Sequence, residues 1–314
     1  MEKARTGAKD FFLWAGAMIF FYASIVAFIT LLFSYINYSF PDALHNYASN
    51  PYDSGMSYQM AVLIVLGPLF LGLMRLIRWE IKKDPTRADL WVRKWALYLT
   101  LFVAGVTVAV DLITLLYYFL SGQDITIRFL LKVAVVLLVG AATFMHFLAD
   151  IWGFWEKFPK RLSAINYAAG LLVILTIAAG FVIVGTPGQA RHYRLDEQKV
   201  NDLQNIQSQI ITYWQQKQKL PAKLSDLNDS LSYFMLPMDP QTGASYEYTV
   251  TGATAFSICA TFNDASQANS RGKELAYPAY PSSTGDNWQH GAGHTCFART
   301  IDPERYPPFN TKSN

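Results

Sequence analysis

Six ionisable side chains stand inside or at the rim of long apolar runs in this sequence: Arg75, Asp111, Arg128, Lys132, His146 and Asp150. A charge in such a setting is costly and marks a functional candidate. Asp111 falls about 14 Å from the outer end of its run, at 1.5 Å per helical residue. The next run travels the opposite way after the short link 121–125, placing Lys132 about 9 Å and Arg128 about 3 Å below the same surface. A carboxylate and a cation at such depths make either a proton- or ion-sensitive site or a structural ion pair that sets the register of a helical hairpin. The pair accounts for both charges without a substrate. Near the opposite surface His146 and Asp150 are spaced i,i+4 and share a helix face, with Arg75, Arg78 and Lys94 at similar depth. That spacing suits a proton relay, and it equally suits a histidine that packs or hydrogen-bonds close to the interface.

The other constellation is His290, His294 and Cys296, in the stretch Trp288-Gln289-His290-Gly291-Ala292-Gly293-His294. Histidines at i,i+4 bind metal well on a helix, but this glycine-rich stretch reads as loop. With Cys296 assigned to a disulfide, the two histidines left are too few for a structural zinc. Asp239 would need several more oxygens than the sequence offers to hold calcium. No P-loop, dinucleotide turn, nucleophile elbow, HExxH or paired CxxC occurs. The expectation is therefore a non-enzyme with no metal and no cofactor.

The elements that must position these residues follow from hydropathy. Apolar residues make up 52% of the 314-residue chain and charged ones 16%, against about 25% charged in ordinary soluble proteins. Mean hydropathy is +0.17. This excludes a disordered chain, a nucleic-acid binder driven by its basicity, and a simple cytosolic enzyme. Five runs, at about 11–36, 59–79, 94–120, 126–152 and 165–185, reach the roughly 20 residues that a membrane span requires. The first is too long for a cleavable signal, and Asn37-Tyr38-Ser39-Phe40-Pro41 lacks a small-residue cleavage pattern. It reads as a retained signal-anchor helix.

Charge placement predicts the orientation. Lys3, Arg5 and Lys9 precede the first run, seven Lys/Arg lie between Arg75 and Lys94, and Lys157, Lys160 and Arg161 precede the fifth. The alternate connections, 37–58 and 121–125, hold no Lys or Arg. The positive-inside rule then puts the N-terminus in the cytoplasm and everything after Gly185 outside. Trp14, Trp79, Trp91, Trp95, Trp152 and Trp155 fall at the inner ends, and Tyr35, Tyr38, Tyr117 and Tyr118 at the outer ones, as interfacial aromatic belts do. Residues 1–185 carry a net charge of +4 and 186–314 of −1, so the overall +3 belongs to the membrane part.

Both cysteines, Cys259 and Cys296, lie in the second part. An extracytoplasmic compartment is oxidising, which predicts a Cys259–Cys296 disulfide; the alternative is two buried free thiols. Leu203, Ile206, Ile210 and Trp214, with Leu195 and Lys199 or Val200 upstream, form one apolar stripe on a polar helix running to about Lys219. This helix is the candidate interaction element. Pro221 ends it, and 222–227 reads as a short helical turn. Asp239-Pro240-Gln241-Thr242-Gly243 is a turn by composition. Residues 246–250 and 256–262 alternate like the strands of a hairpin, and beyond Asn263 the chain reads as loop. The predicted fold is an α-helical membrane bundle of five transmembrane helices over 1–185. An α+β domain over 186–314 follows, with one long helix on a small antiparallel sheet.

Two resemblances accompany this reading. Arg194-x-Asp196, Asp202-Leu203-Gln204-Asn205-Ile206-Gln207, Tyr213, Leu220-Pro221, Leu224-x-x-Leu227, Asp239-Pro240-x-Thr242-Gly243 and Tyr246-x-Tyr248 resemble the globular part of type IV pilins and type II secretion pseudopilins, over about 190–262. Pilin subunits have a processed leader and a glutamate early in their apolar helix. Here the preceding helix is the fifth of five and holds no Glu, which argues against processing and polymerisation. Trp91-x-Arg93-Lys94-Trp95, Tyr98-Leu99-Thr100-Leu101-Phe102, Asp111-Leu112-Ile113, Gly122-x-x-x-Thr126-x-Arg128-Phe129-Leu130-Leu131-Lys132-Val133 and Phe147-x-x-Asp150 resemble an uncharacterised bacterial membrane-domain family, over about 10–155. That family is common in candidate-phyla bacteria and supplies no activity. It implies a bacterial cytoplasmic-membrane protein.

The functional expectation is a non-catalytic membrane protein that displays a pilin-like module outside the cell membrane. Its partners would be the lipid bilayer, envelope or pilin-machinery proteins, or a second copy of itself, with no nucleic acid. The competing class is a small channel, transporter or sensor in which Asp111, Lys132, His146 and Asp150 line a polar path.

Overall fold

The structure, a computed structural model, describes residues 7–40, 55–228, 234–266 and 287–309. Lys3, Arg5, most of the 37–58 connection and much of the loop expected after Asn263 lie outside the described residues. The chain divides into two compact units at Gly185 and Thr186.

The first unit consists of helices. They are α1 (Ala8–Ser39), α2 (Met56–Lys83), α3 (Trp91–Leu120), α4 (Ile127–Ile151), the single turn α5 (Phe154–Lys157) and α6 (Pro159–Val184). Five of them are long and apolar enough to cross a membrane, and they coincide with the five runs. Most extend a turn past the hydrophobic limits, because residues such as Glu80, Lys82 and Lys83 continue α2 once its apolar stretch ends. α6 starts six residues early, with Pro159 in the first turn, where the missing N–H costs nothing. Thr126 caps α4 by accepting a 3.2 Å hydrogen bond from the Phe129 N–H.

α1 packs along α2, and α3 along α4. One buried cluster joins Trp14, Ala17, Met18, Ile77, Val92 and Ala96, and a second joins Ala27, Leu31, Met56, Met60, Leu63 and Val184. The outside of the bundle is apolar as well: Phe12, Leu138 and Val182 are 70%, 72% and 85% exposed. Helices that are apolar all round belong in hydrocarbon rather than water. The chain is thus a multi-pass membrane protein by the length and character of its helices.

The second unit opens with α7 (Pro187–Lys217). Thr186 accepts from the Gln189 N–H, and the Gln189 side chain accepts from the Thr186 N–H. The Thr-Pro-Gly segment is thereby a helix start with Pro187 in the first turn. A short 3-10 turn, Leu224–Leu227, occupies the predicted place after Pro221. Strands β1 (Glu247–Val250), β2 (Ala255–Phe262) and β3 (Gly293–Thr300) form an antiparallel sheet in that order.

The β1–β2 hairpin is the expected one. β3 corrects the reading of the chain beyond Asn263 as loop: its residues pair with β2 along its full length, Ala255 opposite Thr300 and Phe262 opposite Gly293. Leu203, Ile206, Ile210 and Trp214 of α7 are buried together with Phe256, Ile258, Ala260, Phe262 and Phe297 of the sheet. Full burial of such a side chain is worth about 1.5–3 kcal/mol, so this stripe holds the unit together.

Candidate functional site

The membrane unit places its ionisable residues differently from the expected pairing. Gly140 of α4 faces Val108 of α3, Gly105 faces Phe144, and Tyr118 stacks on Phe129 at 4.3 Å. This antiparallel register sets Asp111 level with residue 137, about 7 Å deeper than Lys132. Lys132 instead extends over the ring of Phe33 on α1, with Nζ 5.6 Å from its centroid. Arg128 Nε donates to Asn37 Oδ1 at 2.9 Å. Asp111 Oδ2 is buried and has no hydrogen-bond partner among the described residues. The helices are adjacent as expected, but both cations turn towards α1.

Toward the other end, His146 and Asp150 go to separate partners. The imidazole packs at 5.3 Å from the Trp155 ring and edge-on to Phe147, while Trp155 Nε1 donates to the His146 carbonyl. Asp150 lies 3.8 Å from Arg93 of α3. Arg75 is exposed on α2, and Lys94 pairs with Asp89 at 3.1 Å. One cluster was not anticipated. Arg87, in the 3-10 turn Pro85–Asp89, donates to Asp10 at 2.9 Å and to Glu80 at 2.8 Å, and Lys9 reaches Glu80 at 2.6 Å. This clasp ties the start of α1 to the end of α2.

In the second unit the interaction stripe Leu203, Ile206, Ile210 and Trp214 is buried in the unit's own core. Only the other faces of α7 are open to a partner. The same spacing carries back to Lys199, one turn before Leu203, and its side chain is 2% exposed. Lys199 Nζ donates to Thr261 O at 2.7 Å and Gln241 Oε1 at 3.0 Å, and lies 3.4 Å from Asp239. The stripe periodicity was the signal for its burial; the charge argued against it.

Asp239 organises the Asp239-to-Gly243 turn. Its Oδ1 accepts from the N–H groups of Gln241 and Thr242, and Gly243 adopts φ 69°, a left-handed conformation suited to glycine. Burial works against the Asp239 carboxylate, but the two backbone donors and the Lys199 ammonium hold its pKa below the usual range. Nearby Asp202 accepts from Tyr246 Oη at 2.8 Å, and burial raises its pKa despite that bond. Burial, aided by Asp202, drives Tyr246 upward too. Asp196, also buried, accepts from the N–H groups of Asn263 and Asp264 and from Asn263 Nδ2. Each buried charge in this network is met by donors or an opposite charge, as burial requires.

Cys259 and Cys296 form a disulfide between residues directly opposite each other on β2 and β3, as expected. The two histidines part company. His290 stacks flat on Phe262 at 3.6 Å. His294 lies beside the disulfide, Nδ1 3.9 Å from Cys296 Sγ and Nε2 3.0 Å from Glu247 Oε2. The grouping of His290, His294 and Cys296 weighed in the sequence is thus not formed; the ligand atoms that lie within 4.8 Å of one another belong to Cys259, His294 and Cys296.

Residues 10–149 match a family described as a domain of unknown function (DUF5671). No curated protein and no solved structure matches the chain.

Proposed function

We propose that this protein is a non-catalytic component of a bacterial cell membrane that holds a pilin-like module outside the cytoplasm for contact with other envelope proteins. The observation that supports it most is the packing of the second unit. A 31-residue helix lays one apolar stripe across a three-stranded antiparallel sheet, closed by a disulfide and an Asp239 turn. The distribution of Lys and Arg across the connections supports the orientation, since cationic segments are retained on the cytoplasmic side. The Cys259–Cys296 bond suits an oxidising compartment. With its stripe buried, α7 offers Gln204, Asn205 and Ser208, all exposed, as the surface for a partner or for a second copy. A photo-crosslinking residue at Gln204 or Ser208 in cells should give discrete protein adducts containing pilus or secretion-machinery subunits or the chain itself. Adducts confined to lipid, at both positions, would sink this reading.

A second reading rests on Asp111. A carboxyl oxygen buried in a long apolar helix without a partner among the described residues is the feature a proton- or ion-conducting membrane domain would display. Proteoliposomes holding the protein would then show a cation or proton flux that Asp111→Asn abolishes. An equal flux in parent and variant removes this reading and leaves the first standing.

A further inference from the structure

The outward face of the sheet carries four side chains in a small area. Glu247 on β1 is the register partner of Cys259 on β2, and Cys259 is the register partner of Cys296 on β3. His294 precedes Cys296 by two and so shares its face. The opposite face of β2, with Phe256, Ile258, Ala260 and Phe262, belongs to the core. Glu247 and His294, on the two outer strands, meet at 3.0 Å, with His294 Nδ1 3.9 Å from Cys296 Sγ.

We infer that, once the disulfide is reduced, Cys259 Sγ, Cys296 Sγ and His294 Nδ1 form a binding site for a thiophilic divalent cation, with zinc(II) the natural occupant. The donor atoms already lie within 4.8 Å of one another, and two thiolates with an imidazole are a donor set that zinc prefers, at about 2.0–2.3 Å per ligand. The two cysteines sit on paired strands with Cα atoms 4.1 Å apart, so rotation about their Cα–Cβ bonds opens a gap for the ion without moving a strand. The Glu247 carboxylate holds Nε2 of His294, which places the proton on that nitrogen and leaves the Nδ1 lone pair directed toward the sulfurs. A carboxylate behind a ligating histidine is the outer-shell arrangement that orients metal-bound imidazoles. The fourth position stays open to water or to a side chain of a partner.

The disulfide makes the site conditional. A dithiol reductant supplies two electrons and two protons, breaks the Cys259–Cys296 bond and is itself oxidised to a disulfide. The cation then displaces the two thiol protons to solvent as it binds the thiolates. In the oxidised protein both sulfurs are bonded to each other and the site does not exist. The disulfide joins only Cys259 and Cys296, so His294 and Glu247 can be replaced with both cysteines kept.

The test uses the full chain in detergent, with any affinity tag removed, and zinc(II) chloride as the probe. After reduction with a water-soluble phosphine, the protein should bind about one equivalent of zinc, and the oxidised protein almost none. Cobalt(II) in place of zinc should give the near-ultraviolet absorption of thiolate ligation. His294→Ala and Glu247→Gln keep both cysteines; Glu247→Gln should weaken zinc binding by about 10–100-fold, and His294→Ala, which deletes a ligand, by at least as much. Absence of zinc binding after reduction overturns the inference. So does equal binding by the oxidised protein. Binding by His294→Ala as tight as the parent's also overturns it, because thiols of an unfolded chain would bind without regard to the placement of His294.

Discussion

Lys199 on α7 and Asp239 at the head of the β1-side turn stand 3.4 Å apart in the interior of the second unit, with the lysine side chain 2% and the aspartate 11% exposed. The pair links the helix to the sheet at the end where Asn263 and Asp196 make the neighbouring contacts. Removing one partner of a buried pair leaves the other uncompensated, at a cost of about 3–5 kcal/mol. Lys199→Ala should therefore lower the unfolding free energy of the second unit by about that amount. An exposed control such as Gln204→Ala should stay within about 0.5 kcal/mol of the parent. Urea titration with the signal of Trp214 or Trp288 measures both, and near-identical midpoints for Lys199→Ala and the parent would contradict the assigned role.

The same network predicts an acid sensitivity. Asp239 is held below its ordinary value, so its contribution to stability is present above the ordinary carboxylate pKa and is lost as pH falls through its lowered one. Asp202 is raised and has the opposite sign: it opposes folding as pH rises from the ordinary carboxylate value through its raised one. Melting curves between about pH 3 and 6 should show the parent losing stability toward the acid end. Asp239→Asn should flatten that loss and Asp202→Asn should steepen it. An acid limb unchanged by Asp239→Asn would show that its carboxylate is not the group responsible.

The disulfide closes a loop between residues 37 apart in sequence, which restricts the unfolded chain by about 2–4 kcal/mol. Reduction should lower the thermal midpoint of the second unit, and zinc added to the reduced protein should restore part of it by binding the folded form more tightly than the unfolded one. Calorimetry on oxidised, reduced and zinc-loaded samples separates the three states. A midpoint indifferent to reduction would contradict the stabilising role.

Gly180 is the close contact between α6 and the first two helices. A Cβ there would collide with Met60 Sδ and come within 2.6 Å of the Tyr35 hydroxyl, which donates to Thr176 O at 2.7 Å. Gly180→Val should cost about 1–3 kcal/mol of stability in detergent by overpacking. Gly170 has open space around the corresponding position, so Gly170→Val should cost less. Equal losses at the two glycines would refute the packing.

Orientation is open to direct measurement. Cysteines introduced at Gln123 and Asp89, both exposed, should react with a membrane-impermeant maleimide from opposite sides, Gln123 in intact cells and Asp89 only after permeabilisation. The native pair remains oxidised and silent. The reverse pattern would invert the proposed topology.

Local periodicity was enough for much of this protein. A spanning helix satisfies its own backbone hydrogen bonds and needs only an apolar stretch of sufficient length, so residues 11–36 or 126–152 identify themselves. The stripe from Leu203 to Trp214 and the alternation in 256–262 are likewise properties of short windows. The pairing of two cysteines in one unit needed no geometry at all. The remaining features depend on residues far apart in the chain. β3 is a strand because β2 offers it an edge, while its own burial is modest and its first residue is Gly293. Lys199 is buried because Gln241, Thr261 and Asp239 gather around it. Asp150 meets Arg93 instead of His146, and Lys132 turns to Phe33 instead of Asp111, because neighbouring helices supply partners that a single helix cannot reveal. Sequence determined which segments are long and apolar enough to cross a membrane and which face of α7 is apolar; tertiary structure decided which charges meet and which histidine stands beside the disulfide. The physical reason is range. Hydrophobic patterning is written every two to four residues, whereas an ion pair or a ligand set is a distance in space between residues that the chain keeps apart.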